Sequence, residues 1–206
     1  KTKVFTSSHT KHEEYPTLPM DFAVAPGTAE QVPVLMYHYI TPKQYNQEPG
    51  NKSIINLEAF EAEMAYLHEQ GYYTASLSEL EQYVRGQISL PAKSVVITFD
   101  DGYQNNYIYA YPILKNYGFK AAIFVIGSKI EAETQTFDPT KKTYLSKEEI
   151  HAARDVFEFH SHTYNLHYKG FQKCGVPSSA GLDSKLIQAD IDKMKETGVD
   201  SPYFAY

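Results

Sequence analysis

Two acidic side chains stand next to each other directly after the most apolar run of the sequence. Asp100 and Asp101 follow residues 94–99, whose sequence is SVVITF, and Gly102 comes next. Adjacent residues of a strand point to opposite faces, but a turn after the strand can bring both carboxylates to one site, and glycine permits such a turn. Two carboxylates held this close resist ionising together unless a cation or a donor lies between them. The pair therefore predicts either a cation-binding or catalytic site or, as the structural alternative, a helix cap or Asx turn.

Histidines are concentrated in a second segment. His160, His162 and His167 are three of the eight histidines of the chain and lie within eight residues. Strand alternation puts Glu158, His160 and His162 on one face, and His167 follows on a loop, close enough to turn back. Glu158 could accept a hydrogen bond from a metal-binding imidazole or from His160, or be satisfied by the backbone. The structural alternative for the whole segment is an ordinary polar loop.

Taken together, the two segments predict a site for a catalytic divalent metal. One carboxylate and two imidazoles are a common ligand set, and three protein ligands leave one position open for water. A bound metal lowers the pKa of that water and polarises a carbonyl group. One aspartate of the pair would then bind the metal, and the other would take the proton of the water as a general base. This ligand set suits zinc, and also cobalt, nickel, manganese or iron.

Strand patterns and helix patterns alternate along the chain. Capping boxes of Ser76 with Glu79 and of Ser146 with Glu149 mark the beginning of two helices. The predicted strands cover residues 32–38 (a buried strand), 72–75, 94–99, 121–126 and 156–161, with a further strand beginning at 203. The predicted helices cover residues 57–70, 76 to about 86, 106–117, a short stretch from 146, and 184–197.

This alternation predicts an α/β fold of parallel strands with helices packed outside them. A complete eight-unit (β/α) barrel takes ~250 residues, so a chain of 206 residues predicts an open sheet or an incomplete barrel. In either architecture, functional groups lie at the carboxyl ends of the strands, where the aspartates and histidines stand.

Composition limits the other classes of protein. Hydrophobic residues are 42% and charged residues 21%, which is typical of a globular domain. The net charge of −6 argues against nucleic acid as a partner, because phosphate binding needs a basic face. No stretch approaches the ~20 apolar residues of a transmembrane helix. We expect an N-terminal arm or linker over residues 1–31 and one domain over 32–206. The single cysteine, Cys174, allows no internal disulfide and is assigned no function.

Two motifs resemble those of a known family. The sequence TFDDG at residues 98–102 and the sequence HTYNLH at 162–167 are similar to the first two motifs of the polysaccharide deacetylases, the NodB-homology or carbohydrate esterase family 4 enzymes. The resemblance extends over roughly residues 32–206. Further segments that resemble the family are PVLMYH at 33–38, AIFV at 122–125 and YFAY at 203–206.

The resemblance implies a role for each site residue. It makes Asp100 the general base and Asp101, His162 and His167 the metal ligands. It also implies an incomplete (β/α) barrel of the NodB-homology type that removes acetyl groups from an N-acetylglucosamine-containing polysaccharide of the cell wall or a biofilm. Such an enzyme would be secreted or on the cell surface, although no leader is visible in this chain. The five-residue spacing of the two histidines is similar to that of the biofilm poly-β-1,6-N-acetylglucosamine deacetylases.

The sequence also departs from the family pattern. The chain ends at Tyr206, inside what resembles the third motif, and the family's leucine–x–histidine, which carries the general acid, has no counterpart. No arginine stands near Tyr203 to pair with the base. We therefore expect a domain lacking its C-terminal units in this chain, which binds metal but hydrolyses N-acetylglucosamine oligomers poorly. The alternatives are an O-acetyl xylan or glycan esterase with the same site and a glycan-binding module with little or no activity.

Other residues have less specific expectations. His38 either lines the cleft or packs in the core. Tyr164 and Tyr203 either stack on sugar rings or are structural, and Ser161 and Thr163 stabilise the loop. Four histidines are expected to be solvated: His9, His12, His68 and His151.

Overall fold

The computed structural model of the chain describes residues 25–167 and 184–205. The strands in these ranges are β1 (Val34–Tyr37), β2 (Tyr39–Thr41), β3 (Ile54–Asn56), β4 (Tyr73–Thr74), β5 (Ser94–Phe99), β6 (Ala121–Val125) and β7 (Phe157–Ser161). The α-helices are α1 (Leu57–Glu69), α2 (Leu77–Val84), α3 (Tyr111–Asn116), α4 (Lys147–Ala152) and α5 (Ser184–Glu196). The expectations for most of the N-terminal arm, His9, His12 and Cys174 fall outside the described residues, and the division at residue 32 stays a prediction.

The central element of the fold is β5, all six residues of which are buried. It pairs in parallel with β1 on one side and with β6 on the other, β6 pairs in parallel with β7, and β4 pairs with the beginning of β5. A strand covered on both faces is apolar throughout, which explains its sequence SVVITF. The parallel α/β fold is confirmed, and the described strands form an open sheet rather than a closed barrel.

The core beneath the carboxyl ends of the strands is aromatic. Helix α1 buries Phe60, Met64 and Leu67, as their spacing of three and four residues predicted. The ring of Phe99 at the end of β5 lies 5.9 Å from that of Phe60 and 5.7 Å from that of Phe157. This packing gives the turn after β5 a rigid base. Both predicted capping boxes are present, at the beginning of α2 and of α4.

The structure departs from the predicted elements at several places. A two-stranded parallel pair of β2 with β3 was not predicted, because strands of three residues are too short to show a period. The strand at 32–38 was predicted to be buried, but Val34 is 49% and Met36 64% exposed. An apolar run does not reveal by itself which of its faces is covered. The predicted strand at 203 is a single parallel bridge between Phe204 and Ser161.

The helix predicted at 106–117 has two parts. It begins with a π-helical turn over Asn106–Ala110 and continues as α3. Pro112, in the first turn of α3, has no N–H to donate to the preceding turn, and this favours a break in the hydrogen-bond pattern at that point. Within the described residues, no helix combines the length and the apolar character that crossing a bilayer requires.

Candidate metal centre

The first half of the site is the turn after β5. The backbone N–H of Asp100 donates to the carbonyl of Tyr37 in β1 at 2.9 Å, so this residue still belongs to the sheet. The backbone then turns sharply, since Asp101 and Gly102 both have positive φ, of 72° and 75°. A Cβ on Gly102 would lie 2.8 Å from Cγ1 of Val125 in β6. Glycine is therefore required here for space as well as for conformation, and the turn brings both carboxylates to one edge of the sheet.

The second half is the loop after β7. The backbone N–H of His162 donates to the carbonyl of Val125 at 2.9 Å. Thr163 then takes a left-handed conformation with φ 68°, and its hydroxyl accepts the N–H of Leu166 at 3.0 Å. The Ser161 hydroxyl accepts the N–H of Thr163 at 3.2 Å. The loop therefore folds back on itself, which agrees with the expectation that Ser161 and Thr163 stabilise it.

The orientation of His162 follows from one hydrogen bond. Its Nδ1 lies 2.9 Å from the backbone carbonyl of Ala205. A carbonyl oxygen can only accept, so Nδ1 carries the proton and Nε2 presents its lone pair. That lone pair lies on the side of Asp101, whose Oδ1 is 3.6 Å away.

Three of the predicted site residues bring ligand atoms together. Asp101 Oδ1 lies 3.6 Å from His162 Nε2 and 3.4 Å from His167 Nε2, and the three ligand atoms lie within 4.8 Å of one another. Ligands about 2.0–2.1 Å from a tetrahedral zinc ion are roughly 3.4 Å apart. The donor set and its spacing therefore fit a divalent ion. Burial and the neighbouring His162 lower the pKa of His167, which favours the neutral imidazole that a metal requires.

The fourth predicted residue lies beside this group. Asp100 is only 7% exposed, and burial raises the pKa of its carboxyl above the ordinary value, although the charges of His162 and His38 oppose the rise. His38 Nε2 is 3.8 Å from Asp100 Oδ2. A carboxyl group with a raised pKa is a stronger base once it is ionised. The turn thus separates the two adjacent carboxylates. Asp101 lies beside His162 and His167, and Asp100 lies beside His38.

All four residues line a cleft of about 470 Å³, a volume that suits a small molecule or one unit of a polymer. His38 lines it too, as one of the two expectations for that residue stated. Further lining residues are Tyr39 of β2, Ser53 before β3, and Lys142. Sequence reasoning missed this part of the cleft because it assigned no element between residues 39 and 56 and none between 127 and 145.

His160 and Glu158 lie away from the ligand group. The Nδ1 atom of His160 contacts the hydroxyl of Ser201, and its Nε2 is 3.4 Å from Oε2 of Glu158. Oε1 of Glu158 accepts the N–H of Leu77 at the beginning of α2, at 2.8 Å. The backbone contact considered for Glu158 is therefore present. Nε2 of His160 lies beside the carboxylate but makes no hydrogen bond, and the partner of His162 Nδ1 is a carbonyl. The hydroxyl of Tyr203 donates to Glu81 at 2.8 Å, a structural contact.

Asp190 in α5 is a residue near the site that sequence reasoning missed. Its carboxylate accepts the backbone N–H groups of Tyr164 and Asn165, at 2.7 and 2.8 Å, in the loop between the two ligand histidines. The buried face of α5 consists of Asp190 and Met194, four residues apart. The sequence contained a signal for this role: Asp190 is an acidic residue on the apolar face of a predicted helix, and a buried carboxylate needs a hydrogen-bonding or charged partner.

Comparison with known proteins identifies the family. Residues 87–201, more than half of the chain, match the family model described as polysaccharide deacetylase. The chain therefore belongs to the polysaccharide deacetylase family, and the resemblance noted in its motifs is confirmed.

Individual relatives agree with this assignment. A Bacillus subtilis (strain 168) protein, YxkH, described as a polysaccharide deacetylase, is 43% identical over 100 residues, which are 48% of this chain and 33% of that protein. The poly-β-1,6-N-acetyl-D-glucosamine N-deacetylase of Escherichia coli (strain K12) is 33% identical over 123 residues, 55% of this chain and 18% of that protein. The matches span a third or less of the length of these two relatives. The structure of IcaB from Ammonifex degensii superimposes with a TM-score of 0.67 at 28% identity, covering 89% of this chain and 76% of that one.

Proposed function

We propose that this chain is a metal-dependent hydrolase that removes N-acetyl groups from a polysaccharide containing N-acetylglucosamine. The observation that carries the proposal is the meeting of Asp101, His162 and His167 around one point, with Asp100 beside them in the same cleft. The positions belong to two segments separated by some sixty residues of sequence, so their convergence is a property of the fold. Membership of the polysaccharide deacetylase family supports the same reaction.

The proposed metal ligands are Asp101, His162 and His167, and zinc is the first candidate, followed by cobalt, nickel, manganese and iron. When bound, such an ion supplies a Lewis acid and lowers the pKa of a water molecule towards neutrality. Contacts within the protein favour the metal-binding forms of both histidines. The carbonyl of Ala205 holds the tautomer of His162, and burial lowers the pKa of His167, which favours its neutral imidazole.

Asp100 is the proposed general base. Its carboxylate lies in the cleft and is outside the group of metal ligands. It would accept the proton of the attacking water, while the adjacent Asp101 stays on the metal. The raised pKa of Asp100 makes its carboxylate a stronger base. Because only the ionised form accepts a proton, the raised pKa also moves the onset of activity to higher pH.

The proposed substrate is a poly-β-1,6-N-acetylglucosamine, and three observations support this choice. Relatives of this chain carry the name poly-β-1,6-N-acetyl-D-glucosamine N-deacetylase. The ligand histidines are five residues apart, the spacing on which the sequence resemblance to such enzymes rests. The cleft combines tyrosine rings with polar side chains, a lining that suits the two faces of a sugar ring. Because such a polymer lies outside the cell, we also propose a secreted or cell-surface location.

Acetate release tests the proposal. The purified chain, stripped with a chelator and then reloaded with zinc or cobalt, is given β-1,6-linked N-acetylglucosamine oligomers and, separately, O-acetylated xylan. We expect metal-dependent release from the N-acetylated oligomers. Faster release from xylan would favour the esterase alternative, and metal and glycan binding without release would favour the binding module. The expectation of slow turnover stays a prediction, and the same assay measures it.

A further inference from the structure

The loop that carries His167 is held by a carboxylate from a distant helix. We infer that Asp190 of α5 is a positioning residue for the metal centre, which sets the path of residues 163–167 so that His167 faces Asp101 and His162. The inference rests on the proposed metal site and adds to it a residue that makes no contact with the reacting atoms.

The carboxylate of Asp190 accepts two hydrogen bonds from the backbone of the loop. Oδ2 accepts the N–H of Tyr164 at 2.7 Å, and Oδ1 accepts the N–H of Asn165 at 2.8 Å. Each carboxylate oxygen therefore serves one backbone amide, and hydrogen bonds to an ionised acceptor are stronger than neutral ones. Asp190 is only 9% exposed, so water competes little for these bonds. Two neighbouring amides are fixed at once, which defines the direction of the backbone between them.

The opposite side of the loop is held by the segment after β6. The N–H groups of Gly127 and Ser128 donate to the carbonyls of Thr163 and Tyr164, at 3.0 and 2.7 Å. A Cβ on Gly127 would lie 2.6 Å from the sulfur of Met194 and 2.8 Å from Cδ2 of Tyr164. Because Met194 follows Asp190 by one helical turn, the loop lies tightly between this segment and the buried face of α5.

Few covalent and hydrogen bonds separate the amides that Asp190 binds from His167. Thr163 has φ 68°, a conformation that a β-branched residue keeps only when its surroundings impose it. Its hydroxyl accepts the N–H of Leu166, the residue before His167, at 3.0 Å. His162, in contrast, is already fixed by Val125 and Ala205. Asp190 therefore acts mainly on the His167 side of the metal centre.

A matched pair of substitutions on α5 tests the inference. D190N keeps the size of the side chain but replaces one accepting oxygen by an NH₂ group, which then faces a backbone N–H. D192N makes the same chemical change two residues later, where the exposed carboxylate accepts a hydrogen bond from Gln188 of the same helix at 2.8 Å. The measurement is the affinity for Zn²⁺ by competition with a chromophoric chelator, together with the visible absorption of the Co²⁺ form, which reports ligand geometry.

We expect D190N to bind Zn²⁺ about 10–100-fold more weakly, the usual effect of losing a partner that orients a ligand, with an altered Co²⁺ spectrum. D192N should match the wild type in both. A D190N affinity within about twofold of a wild type that binds zinc overturns this inference and leaves the metal site standing. A wild type that does not bind Zn²⁺ contradicts the proposed function itself.

Amide hydrogen exchange of the wild-type protein gives a second test, which does not depend on the folding of D190N. Coupling between two sites is reciprocal, so zinc bound at His167 should slow exchange of the Tyr164 and Asn165 amides by tenfold or more. Slower exchange at both amides supports the inference. Unchanged exchange at both, with zinc bound, overturns it.

Discussion

Asp100, Asp101 and Gly102 sit on a turn that the neighbouring strands β1 and β6 hold. Residues 162–167 sit on a loop that β6 holds only at His162, through the carbonyl of Val125, and that segments outside the sheet hold elsewhere. The turn is bonded to Tyr37 of β1 and packed against Val125 of β6. The loop donates hydrogen bonds to Ala205 and to Asp190 of α5, and accepts hydrogen bonds from Gly127 and Ser128. The two halves of the proposed metal centre are thus built by different means.

This difference predicts two kinds of mutational effect. The turn is part of the sheet, so a substitution that disturbs its backbone disturbs the whole fold. The loop lies outside the sheet, so a substitution in the contacts that hold it should weaken metal binding before it weakens folding. Within the turn, the side chains of the two aspartates can still be changed without disturbing the backbone, and there the effect should fall on chemistry.

The largest expected effect is that of D100N. The substitution keeps the shape of the side chain and removes the base, so acetate release should fall by about 10²–10⁴-fold. Zinc affinity should stay within about threefold of the wild type, because Asp100 is outside the ligand group. The comparison variant is D101N, which should lose zinc binding as well. A D100N protein that keeps a tenth or more of the wild-type rate would refute the assigned base.

The next effect concerns folding. G102A places a methyl group 2.8 Å from Cγ1 and 3.3 Å from the backbone Cα of Val125, at φ 75°. The unfolding free energy in urea should fall by about 3–4 kcal/mol, the sum of left-handed strain and overpacking.

Gly118 offers the matched control, since it has φ 68° and nothing within 4 Å of a Cβ. G118A should cost only about 1–2 kcal/mol, for conformation alone. Equal losses in the two variants would mean that the contact with Val125 does not hold the turn.

The smallest expected effect is that of a substitution at Glu158, near the beginning of β7. E158A removes the acceptor for the N–H of Leu77 at the beginning of α2 and should lower the unfolding free energy by about 0.5–2 kcal/mol, as the loss of a cap does. Zinc affinity should not change, because Glu158 contacts His160 and not the ligand histidines. A tenfold loss of affinity in E158A would show that the loop depends on this strand end too.

The turn could be predicted from the sequence because its signals are local. An apolar run, two acids and a glycine follow one another within nine residues, and the capping boxes are equally local. The ligand histidines could be proposed from their clustering with His160 and from the resemblance of HTYNLH to the family's motif. Their partners could not, because Ala205 and Asp190 lie 43 and about 25 residues further along the chain, and only the topology brings them to the loop.

The remaining errors have a similar origin. The sequence of β1 is apolar at every position, and only its place in the sheet decides that Val34 and Met36 are exposed. Strands β2 and β3, which contribute Tyr39 and Ile54 to the lining of the cleft, have three residues each. Patterns this short carry no periodicity, so this part of the lining could be found only in the structure.

Zinc binding by the purified chain shows whether Asp101, His162 and His167 hold one ion. Titration of the metal-free wild type, H162A and H167A, with anomalous diffraction to locate the ion, measures affinity and position together. We expect one ion per chain between Asp101, His162 and His167, and a loss of affinity of more than about 100-fold in each variant, since even partners outside the ligand set are worth 10–100-fold. An ion located elsewhere, or equal affinity in all three proteins, would contradict this expectation.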